Sequence, residues 1–418
     1  MGFLNVERKL NILVTLFLFL SILMPILQVA FVQASPKEIH VYSGQSLYTA
    51  VSNAMPGDTI VIHEGIYCEN YLIVRKPLKI IGADRDRVIL DGKGLGGFGI
   101  YVVGTKNVEI ANLTIRNFGV DNIAISGYRI SGISIVNSEN ILVRNCHLYN
   151  DTSMSAGLAR GSTIGVYSSS NVTIVNCIIH RSECEAVGIF SSSKCLVANC
   201  EISRSSVGIV LSSSTETTIM NCSITDYYLP LGENPFHGVE AGIQLVGSKN
   251  NLITGCSIYR SIIGLVFDRS PNNTVKGCCV NKTLYGIQFF YNSSDNTVLF
   301  CNLLNNSRAI EVYWSQGINV HYSNIYGNRH GVKSGTMVNA THNWWGDPSG
   351  PYHESKNQKG KGDKIDADVL FEPWLTSPFE KTRETENNFS TIMGMITIII
   401  FVAITLVAVA FLKRKQAR

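Results

Sequence analysis

The chain has 418 residues, 45% of them hydrophobic and only 16% charged, with a formal net charge of +4 and 11 cysteines. A charge this mild excludes the dense, one-sided basic footprint of a nucleic-acid binder. Length alone would allow two or three domains, but an unbroken repeat from about Ile100 to Val332 argues for one solenoid.

Residues 1–34 read as a secretory signal. Arg8 and Lys9 precede an apolar run from Leu10 to Ala30, and Val32-Gln33-Ala34 places small residues where cleavage after Ala34 is expected. The competing reading is an uncleaved anchor, because the run is longer than usual. Next, Leu47, Ala50, Val51 and Ala54 fall at i, i+3, i+4 and i+7 before Pro56-Gly57, which predicts a short amphipathic helix lidding one end of the core.

The repeat is carried by seven cysteines, Cys146, Cys177, Cys200, Cys222, Cys256, Cys278 and Cys301, at steps of 31, 23, 22, 34, 22 and 23 residues. Three short strands fit each unit. The first follows a glycine (Gly132, Gly165, Gly188, Gly208, Gly242, Gly264, Gly286, Gly331), and pairs such as Leu265/Phe267 alternate with outward residues. The second carries Val143, Ile174, Val197, Ile219, Val275 and Val298, and the third begins at the ladder cysteine. Before that cysteine stand Asn112, Asn145, Asn176, Asn199, Asn221, Gly255 and Gly277; Asn exchanging with Gly predicts a left-handed corner. Equivalent cysteines on stacked parallel strands point the same way, so free buried thiols are expected and not disulfides. Cys68, Cys184 and Cys279 lie outside the ladder and stay open to pairing or reaction. The predicted class is an all-β parallel β-helix of about ten coils, or ~48 Å at ~4.8 Å per coil. Trp344 and Trp345 are its expected C-terminal plugs.

SLYTAVSNAMPGDTIVIHEGIYCENYLIVRKPLKIIG near the start, and Asn343-Trp344-Trp345-Gly346 followed by Gly350-Pro351 near the end, resemble the pectin-lyase-like right-handed β-helix superfamily. The similarity is greatest to proteins with NosD-type repeats, many of them archaeal surface proteins, and covers about Ile39 to Leu375. These motifs are structural and imply fold more than activity.

Three insertions, FGVDNIAISGYRIS, YNDTSMSAGLARGST and TDYYLPLGENPFHGVEA, enter between the third strand and the next glycine strand, and therefore gather on one edge. Four residues after the ladder cysteine come Arg181, Arg204, Asp226, Arg260 and Lys282, on that same edge. They read either as a surface ion-pair column or as a cradle for carboxylated or sulfated sugars. Outward positions of the glycine strands are assigned to Tyr101, Ser134, Tyr167, Phe190, Val210, Gln244, Val266, Gln288, Glu311 and Lys333. Tyr101, Tyr167 and Phe190 suit stacking on sugar rings or lie covered by the insertions.

Paired carboxylates or a calcium-binding acidic cluster are not seen on that face, where Glu311 alone is acidic. The leading reading is therefore polysaccharide binding without catalysis. The alternatives are a lyase, with Ca²⁺ as a possible cofactor, a glycoside hydrolase, and a NosD-like accessory protein in copper-site maturation. For copper, His147, His180, His237, His321, His330, His342 and His353 do not repeat in register, so no metal ligands are assigned. Of ten Asn-x-Ser/Thr sequons, Asn150, Asn272, Asn292 and Asn388 are the favoured glycosylation acceptors.

The β-helix domain is drawn at 35–375 and a polar stalk at 376–391. Residues 392–412 are free of charge and long enough to span ~30 Å of hydrocarbon. Lys413, Arg414, Lys415 and Arg418 then place the tail 413–418 in the cytoplasm and the β-helix outside the cell, on a single-pass anchor.

Overall fold

The computed structural model describes residues 35–93, 97–118, 131–149, 162–225 and 240–380, excluding the side chains of residues 183 and 184. The signal segment, the three insertion cores (119–130, 150–161 and 226–239) and residues 381–418, with the predicted span, lie outside them. Among the described residues no helix is long and apolar enough to cross a membrane.

Every strand of the repeat pairs in parallel with its counterpart in the next coil. The second strands form a 14-stranded sheet running from Glu38–Val41 to Val369–Leu370. The glycine and third strands share a 22-stranded sheet, because hydrogen bonding continues round the edge between them, as in the single strand Ile178–Phe190. Inward residues of the glycine strands stack as Ile100, Ile133, Ile164, Val187, Ile209, Ile243, Leu265, Ile287, Ile310 and Val332; Leu72 pairs with Ile100 before them and Ile365 with Val332 after them, so the rod extends past the ten coils expected, as its 14 second strands require. All ten are fully buried, and each such side chain contributes roughly 1.5–3 kcal/mol.

This register corrects one sequence assignment. Ile133 pairs with Ile164 and Ile164 with Val187, so Gly132 is followed in its column by Thr163 and Ala186, not by Gly165 and Gly188. The two glycines sit two residues further along. A two-residue slip keeps every side chain on the same face of a strand, so alternation of apolar residues does not expose it.

The Asn/Gly corner is left-handed as expected, from Asn112 (φ 57°) to Gly277 (φ 61°), and continues through Phe300, Tyr322 and His342 (φ 56°, 51° and 59°). Those three rings stack at 5.7 and 5.5 Å. Along the corner Asn145 Nδ2 donates to Asn112 Oδ1 at 2.8 Å. The seven ladder cysteines are free and buried. Each thiol sits against the carbonyl two residues before it, as at Cys256–Thr254 (3.5 Å). The column then becomes polar: Cys301 N donates to Ser323 Oγ (3.1 Å) and Ser323 N to Asn343 Oδ1 (2.9 Å).

A second ladder was not foreseen. Ser138, Ser169, Ser192, Ser214, Ser248, Ser270, Ser293 and Ser315 follow the glycine strands, and each backbone amide donates to the next hydroxyl at 3.0–3.2 Å. The chain turns inward there, and these hydroxyls satisfy amides that no strand reaches.

Both ends are closed. Helix α1, Leu47–Asn53, buries Leu47 and Val51 against the first coil. Ser46 Oγ accepts from Thr49 N (3.2 Å), and the Glu69 carboxylate accepts from Leu47 N and Tyr48 N at 2.8 Å each. At the other end Trp345 is fully buried under the last coils.

Candidate functional site

The edge between the third and glycine strands holds the predicted cations. Arg181, Arg204, Arg260 and Lys282 are all exposed and left-handed, with φ of 56°, 55°, 60° and 57°. The same corner in other coils is taken by Asn117, Asn305 and Gly327, residues for which this conformation costs less than for arginine. Arg181 and Arg204 are ladder neighbours, since His180 pairs with Ser203 and Ser182 with Ser205. Arg260 and Lys282 are neighbours in the same way. Lys282 Nζ donates to Tyr259 Oη at 3.0 Å and lies 5.3 Å from the centre of that ring. Asp226, the expected anion between Arg204 and Arg260, lies outside the described residues.

The three predicted aromatic platforms do not form one open column. Tyr101 pairs with Ser134, whose next partner is Gly165, whereas Tyr167 pairs with Phe190 two residues further along the strand. Tyr101 and Tyr167 are buried, at 5% and 6% exposure. Tyr167 and Phe190 stack on each other at 5.0 Å and 6°, over the space left by Gly165 and Gly188. They are packing side chains on the sheet, which accounts for their periodicity without a ligand. Val207, Val210, Ala241, Ile263 and Val266 continue this apolar outer layer, with Phe190 packed against it.

Further along the same face the character changes. Glu311, only 2% exposed, accepts from Gln288 Nε2 (2.6 Å), Tyr313 Oη (3.0 Å) and Arg308 Nη1. The sequence marked Glu311 as the lone acid of the face, and the structure surrounds it with donors. Burial first, and then the hydrogen bond to Glu311, raises the Tyr313 phenol above its ordinary value.

Beside the cation corner, the outward face of the third strands carries a group that sequence spacing did not reveal. Asp91, Arg116, Tyr149 and His180 occupy one register column in four consecutive coils. Asp91 Oδ2 accepts from Arg116 Nε (2.8 Å), and Arg116 Nη1 donates to Tyr149 Oη (2.9 Å). The Tyr149 and His180 rings are parallel to within 1° at 5.0 Å. His147 belongs to the neighbouring column, yet its Nε2 reaches His180 Nδ1 at 3.2 Å. Burial lowers both imidazoles below their ordinary value; the charge of the other histidine adds for His147, and Arg181 and Arg204 add for His180.

Among the described residues no three His, Cys, Asp or Glu side chains gather to hold a metal. The imidazole pair is two ligands without a third, so these residues do not fit a calcium or copper site. Of the sequons, Asn272 and Asn292 are exposed, at left-handed turns with φ of 58° and 62°; Asn150 and Asn388 lie outside the described residues.

Solved structures with the same architecture act on carbohydrates. The A-module of a mannuronan C-5 epimerase from Azotobacter vinelandii is 13% identical with a TM-score of 0.60, covering 80% of this chain and 94% of its own. The catalytic domain of a GH87 α-1,3-glucanase is 12% identical at 0.59, covering 82% and 67%. A GH136 lacto-N-biosidase from Eubacterium ramulus is 11% identical at 0.51, covering 80% and 68%. At these identities the likeness is one of fold. No curated protein matches the sequence. The family model for the right handed beta helix region matches residues 98–229 and 231–343, more than half of the sequence, and the chain therefore belongs to that β-helix family.

Proposed function

We propose that the protein binds acidic polysaccharide at the cell surface through the cation corner of its β-helix. Residues 392–412 are its anchor in this reading, and the rod stands outside the membrane.

The observation that carries the reading is the in-register column of Arg181, Arg204, Arg260 and Lys282 at a left-handed corner. The backbone there does not require arginine, since Asn117 and Gly327 serve equally, and a non-glycine residue in this conformation costs on the order of 1–2 kcal/mol. Guanidinium forks repeating at the coil spacing match the carboxylates of a uronate polymer. The fold shared with a mannuronan epimerase is consistent with such a substrate class. Of the predicted aromatic platforms, Tyr101 and Tyr167 are buried and do not contribute.

Titration of the full-length protein with polyuronate, beside an Arg204→Ala/Arg260→Ala variant, tests this directly. Loss of about tenfold or more in affinity supports it, and unchanged affinity rejects it.

A further inference from the structure

We propose that the β-helix rests on the outer surface of the membrane through Tyr291 and Trp314, which seat at the headgroup level of the bilayer. The inference rests on the reading of residues 392–412, outside the described residues, as the anchor.

The corner between the glycine and second strands is left-handed in successive coils. Gly104, Asn137, Ser168, Ser191, Ser213 and Gly247 occupy it first, residues that are small or tolerate positive φ. Further along the same column come Arg269, Tyr291 and Trp314, with φ of 48°, 45° and 51°. The backbone does not select rings of this size. Core packing does not call for them either, since Tyr291 is 52% and Trp314 64% exposed. The two rings stack on each other at 5.0 Å and 14°, beside the stacked rings of Phe290 and Tyr313 at 5.6 Å. Amphipathic rings presented in this way match the boundary between headgroups and acyl chains, where Trp and Tyr concentrate.

The place where the chain leaves the rod brings this pair to a membrane. Leu375 N donates to Asn343 O at 2.9 Å, and the chain then doubles back over one coil. There Phe379 N donates to Asn324 Oδ1 (2.7 Å), Asn324 Nδ2 donates to Phe379 O (3.0 Å), and the Phe379 ring meets Phe300 and Tyr322 at 5.1 and 6.3 Å. The exit is therefore on the side of the rod and not at its tip. Tyr291 and Trp314 precede the second strands Thr297–Leu299 and Ile318–His321, and Phe300 and Tyr322 follow them, so the aromatic pair and the exit border one face of the same two coils. Residues 381–391 bridge at most ~40 Å to the anchor, which keeps this face within reach of the bilayer. Its outward strand positions, Thr297, Leu299, Asn319 and His321, carry no carboxylate. Asp295 and Gln316, exposed in the turns, stay hydrated at headgroup depth. In a three-sided coil the corner opposite the second strands is the cation corner, so Arg181, Arg204 and Arg260 then face away from the membrane.

The test uses full-length protein reconstituted in phosphatidylcholine vesicles, with and without bromine on the upper acyl carbons. Trp314 fluorescence is read as the difference between wild type and Trp314→Phe, which cancels Trp344, Trp345 and Trp374. Vesicles retain both proteins, and brominated lipid removes most of the Trp314 emission. Retention with an unquenched Trp314 overturns this inference and leaves the anchor reading standing; failure of the vesicles to retain the chain overturns both. Trp314 emission that responds to polyuronate or to protein concentration but not to bromine also rejects it, and assigns the pair to a sugar or to a second copy. So does a glycan found on Asn292 by peptide mapping, because that side chain, exposed beside Tyr291, would then hold the face off the bilayer.

Discussion

Phe190 lies ring on ring against Tyr167, 5.0 Å away and 6° from parallel, and crosses the glycine of its own strand. A Cβ at Gly188 would collide with the Phe190 ring and with Ser162 Oγ. Gly188→Ala therefore costs about 1–3 kcal/mol as overpacking. Part of the cost disappears in a Phe190→Ala background, because the ring no longer collides and only the Ser162 hydroxyl remains in the way. Urea unfolding of the single and double variants measures that coupling. Polyuronate affinity is expected to survive all of them.

The serine ladder makes a sharper demand. Ser214 Oγ accepts from Ser192 N at 3.2 Å in a fully buried position, so Ser214→Ala strands an amide and costs about 1–3 kcal/mol. Ser168, exposed at the adjoining turn, changes stability by less than ~0.5 kcal/mol when replaced by alanine. Paired denaturant curves separate the two.

Thiol–thiol hydrogen bonding along the ladder, with burial, holds Cys200 and Cys256 far above the ordinary thiol range. In the native protein an alkylating reagent should reach exposed Cys68 and leave the seven ladder cysteines unlabelled until the chain unfolds. Peptide mapping after timed labelling checks this; early labelling of Cys222 or Cys256 would show that the core is not closed.

Burial raises the Asp363 carboxyl from 3.8 to about 6, against the opposing hydrogen bonds donated by Asn328. A raised folded-state value means that the native state binds more protons than the unfolded chain between those limits. The associated stability is complete below pH ~4 and lost as pH rises through ~6, a total of about 3 kcal/mol at most. Asp363→Asn keeps the acceptor oxygen and removes the titration. The variant should match wild type in acid and exceed it at neutral pH, as thermal unfolding across that range will show.

The coil was legible in the sequence because Cys146 to Cys301 and the Asn/Gly corner mark one register in every unit, and a backbone demand for left-handed φ admits few residue types. Gly165 and Gly188 misled because a slip of two residues preserves facing. The serine ladder escaped because buried hydroxyls look like loop polarity until their amide partners are placed. At the site, Arg181, Arg204, Arg260 and Lys282 were visible through a constant offset from the cysteines. His147 and His180 were not: they stand in different columns, and only the stacking of coils brings them to 3.2 Å.

The central claim concerns where a uronate polymer lies, and arginine-selective chemical modification with and without saturating polyuronate, read residue by residue by mass spectrometry, tests it most directly. The account predicts protection of Arg181, Arg204 and Arg260, with Arg87 and Arg269, whose side chains are 63% and 64% exposed elsewhere on the rod, modified at unchanged rates. Equal modification of the corner arginines in both samples, or protection at Arg269 instead, would contradict it.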